Sequence, residues 1–356
     1  MNDIRIKARF QNLYSRKLRE LTYQPDLSEG TAMQKKKARK IISAILVAIL
    51  LILVASYIIA INFLVDFSMK KDFDFSLFGS ENNSEEPAEN DEHKPDTFGA
   101  DLDEFFANHS FEKKEYVGYD GTKRVANVLQ NGDGEKWAII VHGYNSDKSS
   151  MNYFAEKYYE NGFSVFLPDL AAHGESEGEY RQMGWNDRLD VVSYAKDLAK
   201  NYPDCEIILT GISMGGATVM MASGEEDLPD NVKCVVEDCG YSSVFEEFSY
   251  ELKELFNLPA FPLMQGANLV AKARCGFDLK EASAVEALKS AKVPVLFIHG
   301  GSDTFVPTEM VYKVYEACAT KKELLIINSA THGASCFANP ELYWQTTFGF
   351  IAKYVK

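Results

Sequence analysis

Ser213 stands in Gly211-Ile212-Ser213-Met214-Gly215, a serine with a glycine two positions away on either side. An apolar run from Glu206 to Gly211 leads into it, and a stretch of small residues and methionines starting at Met214 leads out. A serine hydroxyl is a weak nucleophile until a neighbouring base takes its proton, and that base works best when a third group orients it. The attacked carbonyl also needs two N–H donors where its oxygen becomes negative. Glycines at 211 and 215 suit a tight strand-to-helix turn, in which larger side chains would collide and the serine is held up at the end of the sheet. The Met214 amide, first in the following helix, is the expected first donor. The second is expected from the loop His142-Gly143-Tyr144, with Gly143 letting the backbone approach and the Tyr144 amide donating.

Six histidines compete for the base. His93 falls in an acidic polar stretch and His109 precedes the first strand. His142 and His173 come before Ser213, are followed by glycine and read as loop-structuring residues. His299 ends an apolar run and reads as a near-core histidine. His332, in Ser329 to Ser335 (SATHGAS), follows the final apolar run and comes after the serine. It is the expected general base, taking the serine proton and later giving it to the leaving group. Two carboxylates could orient it: Asp303, in the glycine-rich turn HGGSDTFVP, and Asp238, in VEDCGYSS. Chain order and turn context favour Asp303, with Asp238 kept as the competitor.

Positioning these residues requires a scaffold, and the chain after residue 112 supplies one. Glu112 to Gly121 and Thr122 to Gly134 read as two antiparallel strands. Apolar runs then alternate with helical patterns: Trp137 to His142, Phe163 to Pro168, Glu206 to Gly211, Cys234 to Cys239, Pro294 to Gly300 and Glu323 to Asn328 as strands, with helices near 151–159, 185–202, 214 onward, 308–319 and 340–354. Short β-branched runs separated by amphipathic helices predict an α/β fold with a mostly parallel twisted sheet covered on both faces. Ligands of such sheets sit at the carboxyl ends of the strands. Tyr144, Ser213, Asp303 and His332 each fall just after one of those runs, and Asp238 lies at the end of one.

Ile41 to Val65 contains no charged residue. At about 1.5 Å per residue it reaches roughly 37 Å, enough to cross a hydrocarbon core of about 30 Å. A core helix of that length would carry a polar stripe, and a signal peptide's apolar region is shorter, so one transmembrane helix is expected. The basic cluster Gln34 to Lys40 before it places residues 1–40 in the cytoplasm and the rest outside the cell membrane. Residues 66–104, with the acidic stretch Gly79 to Asp96, read as a solvated tether, and 105–356 as the globular domain.

The net charge of −15 among 356 residues argues against nucleic acid as a partner. The six cysteines show no CxxC and no Cys/His pair at ligand spacing, so neither a metal site nor a cofactor is expected. They are expected to be mostly buried thiols. Between Gly240 and Lys292 the chain is longer than a strand-helix-strand crossover needs, and Val244, Phe245, Phe248, Leu252, Leu255 and Phe256 recur at helical spacing. This predicts an apolar helical cap over the site at about 240–292.

Taken together, HGY (142–144), PDLAAHGESEG (168–178), GISMGG (211–216), IHGGSDTFVP (298–307) and THG (331–333) resemble bacterial serine hydrolases of the α/β-hydrolase fold, of the serine aminopeptidase, monoacylglycerol lipase and cinnamoyl esterase types. The similarity covers roughly residues 112–356. It implies Ser213 as nucleophile, Asp303 as acid, His332 as base and the Tyr144 and Met214 amides as oxyanion donors. One departure is DLAAHG, where relatives often carry an arginine, so Ala171 and Ala172 leave that loop without a brace. An apolar cap suits acyl or aryl esters or a lipid-like substrate cleaved through an acyl-enzyme. A peptidase or amidase with the same triad is the alternative, and a non-catalytic binding module of the same fold is the reading from a different class.

Overall fold

The computed structural model describes residues 27–73 and 104–356, together with position 17. The described residues up to Ile59 and those from Ala60 onward form separate compact units. The first contains most of helix α1 (Leu27–Met69), long and apolar enough to cross a membrane. The acidic stretch expected as a tether, Gly79 to Asp96, lies outside the described residues.

In the second unit eight strands form one sheet in the order β1-β2-β4-β3-β5-β6-β7-β8. They are β1 (Glu112–Val117), β2 (Lys123–Leu129), β3 (Lys136–Val141), β4 (Ser164–Pro168), β5 (Glu206–Ile212), β6 (Val232–Asp238), β7 (Val295–Gly300) and β8 (Lys322–Ile327). β1 and β2 pair antiparallel, as the turn between them predicts, and β2 also runs antiparallel to β4. From β4 to β8 every pairing is parallel. Parallel strands buried on both faces must be apolar on both, and successive side chains of β3 divide accordingly. Trp137, Ile139 and Val141 join one core, and Ala138 and Ile140 join the other. Helices α3 (Asp187–Asn201), α4 (Met214–Ser223) and α8 (Glu309–Ala317) contribute to the first core, α2 (Asn152–Glu160) and α10 (Pro340–Ile351) to the second. All six cysteines are buried free thiols.

Between β6 and β7 the chain forms α5 (Val244–Phe256), α6 (Ala260–Arg274) and the short α7 (Ala284–Leu288). Ser243 caps α5, its hydroxyl accepting from the Glu246 amide, and Asn257 closes the helix in the left-handed conformation.

The boundary expected between span and tether, at Val65 and Asp66, differs in the structure. α1 continues to Met69, and Ile61, Val65 and Met69, one above another at four-residue spacing, are buried in the second unit. The segment that follows is held by backbone pairing: Lys70 bridges Tyr180, the Arg181 amide donates to Met69 O at 2.7 Å, and the Lys71 amide donates to Glu179 O at 2.9 Å. Positions 66–73 are thus part of the folded unit. A period of about four is invisible in a run that is apolar all round, which is why the sequence did not mark this burial.

Candidate active site

Ser213 occupies the single residue between β5 and α4, with φ 56° and ψ −119°. Its amide donates to Asp238 O at 2.8 Å. Both flanking glycines are sterically required. A β-carbon on Gly211 would strike the carbonyl of Gly215, and one on Gly215 would strike the carbonyl of Val141. The strained serine backbone is therefore fixed by packing of the turn against β3, and Met214 opens a helix whose first amides have no intrahelical acceptor.

His332 follows β8 in the loop before α9 (Ser335–Ala338). Its Nε2 lies 2.8 Å from Ser213 Oγ and its Nδ1 2.8 Å from Asp303 Oδ2. With the carboxylate ionised, Nδ1 carries the proton and Nε2 accepts from the serine hydroxyl. Asp303 is buried in the turn after β7, and its second oxygen accepts from the amides of Phe305 at 3.0 Å and Val306 at 2.9 Å. Burial works against its charge. The imidazoles of His299 and His332 outweigh that and hold the carboxyl at about 2. His299, expected as a near-core histidine, is fully buried; its Nε2 lies 3.3 Å from Asp303 Oδ2 and donates to Val306 O at 2.9 Å. It backs the Asp303 carboxylate as well as filling the core. The four-residue spacing of His299 and Asp303 was the signal available in the sequence.

Asp238, the competitor, ends β6 and is buried, with its carboxyl pushed up to about 6 by desolvation. The ring nitrogens of His332 lie within hydrogen-bond distance of Ser213 Oγ and Asp303 Oδ2. Gly143 lies against Ser213, since a β-carbon there would stand 3.5 Å from Ser213 Cβ, and Tyr144 lines the same cavity as Ser213 and His332. His142 and His173 organise loops. Leu170 N donates to His142 Nε2 at 3.1 Å, and His173 Nδ1 lies 2.9 Å from Ala171 O. The loop that lacks the arginine is braced instead by Asp169, which receives Lys148 Nζ at 2.6 Å and the amides of Lys148 and Glu175.

The cavity over Ser213 has a volume of 210 Å³. Phe248 and Leu255 of α5, Phe305, and Phe67 and Ser68 at the end of α1 wall it. Two carboxyls of α5, Glu247 and Glu251, also face it. Burial, reinforced by Glu251 and Asp303, pushes Glu247 well above the usual carboxyl range, and burial together with Glu254 brings Glu251 to about 7. None of these four wall residues outside the loops, Phe67, Ser68, Glu247 and Glu251, was singled out as a site residue in the sequence. Cys239 Sγ, Asp303 and His332 offer ligand atoms within 4.8 Å of one another. The imidazole and carboxylate of that group are already engaged with Ser213 and with each other.

The serine aminopeptidase S33 family matches residues 134–237, and the FSH1 serine hydrolase family matches residues 209–333. Among curated relatives, the Bacillus subtilis (strain 168) protein YqkD is 27% identical over 215 residues, which is 60% of this chain and 70% of that protein. The thermostable monoacylglycerol lipase of Bacillus sp. (strain H-257) is 23% identical over 250 residues, 62% of this chain and 92% of the lipase. The esterase Pf2001 of Pyrococcus furiosus superposes with a TM-score of 0.57 at 24% identity, covering 72% of this chain and 95% of the esterase, a likeness of fold. The strand order and these matches show an α/β-hydrolase fold and a likeness to serine hydrolases.

Proposed function

We propose that the chain is a membrane-anchored serine esterase that cleaves acyl or aryl esters through an acyl-enzyme on Ser213. His332 removes the hydroxyl proton as Oγ attacks the ester carbonyl, and Asp303 stabilises the imidazolium that forms. The amides of Tyr144 and Met214 receive the oxyanion, aided by the positive end of α4. Collapse breaks the carbonyl–oxygen bond, and His332 Nε2 hands its proton to the departing alcohol. Water, deprotonated by the same nitrogen, then releases the acid. The observation that carries this reading is the unbroken chain of 2.8 Å contacts from Ser213 Oγ through His332 to Asp303. Turnover of a panel of acyl p-nitrophenyl esters set against aminoacyl anilides tests it: ester cleavage in clear excess supports an esterase, and anilide cleavage in excess overturns that choice.

Glu247 and Glu251 favour a second reading, a peptidase or amidase. Two carboxyls facing an otherwise apolar cavity would pair with a free amine of the substrate. The same panel separates the two.

The anchor is read from α1. A cleaved signal would remove part of a helix whose residues Val65 and Met69 belong to the core of the second unit. The basic flank before Ile41 favours a cytoplasmic N-terminus. Protease added to intact cells should digest positions 104–356, and protection of that part would reverse the orientation.

A further inference from the structure

Four successive backbone carbonyls at the end of α1 are received by loops that adjoin the catalytic cavity. The carbonyl oxygen of Ser68 accepts from the Tyr144 hydroxyl at 2.9 Å, and that of Met69 from the Arg181 amide at 2.7 Å. Those of Lys70 and Lys71 accept from the two terminal nitrogens of the Arg181 guanidinium at 2.8 and 3.2 Å. The last carbonyls of a helix have no intrahelical donor, and a cation there meets both that need and the negative end of the helix dipole. Arg181 is buried, and its guanidinium lies over the ring of Tyr144, 5.1 Å from the centroid. One side chain thus holds the end of α1 and the ring of the residue whose amide is proposed to receive the oxyanion.

The segment also reaches back. The Lys71 amide donates to Glu179 O at 2.9 Å, and its ammonium donates to Ser176 O at 3.0 Å, in the loop that carries Ala171 and Ala172 where relatives often carry an arginine. Asp66 pairs with Arg274 of α6, whose guanidinium also meets the Tyr180 hydroxyl. Val65 and Met69 are buried between these polar contacts. Ser68, Tyr144 and Met183, two residues past Arg181, line the same cavity as Ser213 and His332.

We propose that positions 65–72 are a docked positioning element of the catalytic site. They are seated on Arg181 and Arg274 by contacts that hold the catalytic domain to the anchor even when the chain between them is cut, and Arg181 positions the Tyr144 loop through that seat. The proposal rests on Ser213 being the nucleophile and not on the choice between ester and amide. Arg181 suits the role because its planar fork spans two neighbouring carbonyls, which a lysine ammonium does not.

The test uses the full-length protein in detergent micelles, with an affinity tag at its N-terminus and a specific protease site inserted between Gly79 and Asp96. After cutting, the tag is captured and the catalytic fragment that comes with it is measured, together with the rate at which an ethyl fluorophosphonate labels Ser213. The wild-type fragment is expected to be captured and to label at the uncut rate. In the double variant Arg181→Gln, Arg274→Gln it is expected to be lost from the capture. In uncut protein, Arg181→Gln should lower kcat on a p-nitrophenyl ester, and the labelling rate, by about tenfold to a hundredfold, the scale on which a misplacement of about 1 Å acts. KM should stay within about twofold, which a general loss of structure would not give. Arg181→Lys, which keeps the charge and loses the fork, should move kcat in the same direction and serves where the glutamine variant does not fold. A wild-type fragment that leaves on cutting, or a double-variant fragment captured as fully as wild type, overturns the docking. An unchanged kcat and labelling rate in a folded Arg181 variant overturn the positioning. Folded wild-type protein that takes no fluorophosphonate overturns the nucleophile reading and the positioning with it, whatever the capture shows.

Discussion

The Tyr144 hydroxyl donates to the carbonyl oxygen of Ser68 at 2.9 Å, joining the loop after β3 to the last turn of α1. The loop is the one whose amide is proposed to receive the oxyanion, so the contact couples its position to the helix end. Tyr144→Phe keeps the ring and the amide and removes this bond. Its expected effect is a fall in kcat of about threefold to tenfold with little change in KM, the signature of a loosened transition-state contact. Steady-state kinetics on a p-nitrophenyl ester checks it, and an unchanged kcat would show that the bond does not position the loop.

Asp303 and Asp238 differ in what their charges meet. Asp303→Asn should cost on the order of 10⁴ in turnover, as when the orienting acid of a triad is lost. Asp238→Asn should cost less than about tenfold, because the Nδ1 of His332 faces Asp303 at 2.8 Å. Their linkage to stability also differs in sign. The Asp303 carboxyl is held at about 2, below its ordinary 3.8, so its stabilisation is complete above about pH 4 and is lost as pH falls toward 2. Asp238 is raised to about 6, so it weakens the fold as pH rises from about 4 to 6. Urea unfolding of Asp238→Asn against wild type at pH 4 and pH 7 should show a relative gain for the variant at pH 7.

Glu251 brings a titration into the cavity near pH 7, through burial and the neighbouring Glu254. A charge appearing there opposes entry of an apolar chain. For a neutral ester kcat/KM should fall as pH rises through about 7, and Glu251→Gln should flatten that limb. For a substrate with a free amine the dependence should reverse, with activity rising as the carboxyl ionises. Profiles with the same descending limb in Glu251→Gln and wild type would assign it to another group.

Gly215→Ala tests the geometry of the turn. Its new methyl group would meet the carbonyl of Val141, backbone held in the sheet between β4 and β5. Overpacking at such a place costs about 1–3 kcal/mol or more, and the turn that presents the serine must shift. The expected outcome is a lowered Tm together with loss of ester turnover. Wild-type stability with wild-type kinetics would contradict the steric account.

These outcomes bear on what a sequence can disclose. The turn around Ser213 was legible because only glycine fits at 211 and 215, so steric need leaves a letter in the chain. The sheet was legible through its apolar runs, and the strands' carboxyl ends then pointed to Tyr144, Ser213, Asp303 and His332 as candidates. Phe67 and Ser68 were not legible. They sit where an apolar run gives way to charge, a place that reads equally as the end of a span or the start of a tether. Glu247 and Glu251 share α5 with an apolar stripe, and carboxyls beside such a stripe ordinarily face water. Only the approach of α1 and α5 over the same cavity gives these four residues a common role.

The central claim is that Ser213 is a nucleophile activated by His332. Peptide mapping by mass spectrometry after treating the folded, full-length protein with a fluorophosphonate measures it directly. The account predicts one adduct, on Ser213, absent in Ser213→Ala and slowed by several orders of magnitude in His332→Ala. An unmodified Ser213 in folded wild-type protein, or labelling equally fast without His332, would contradict it.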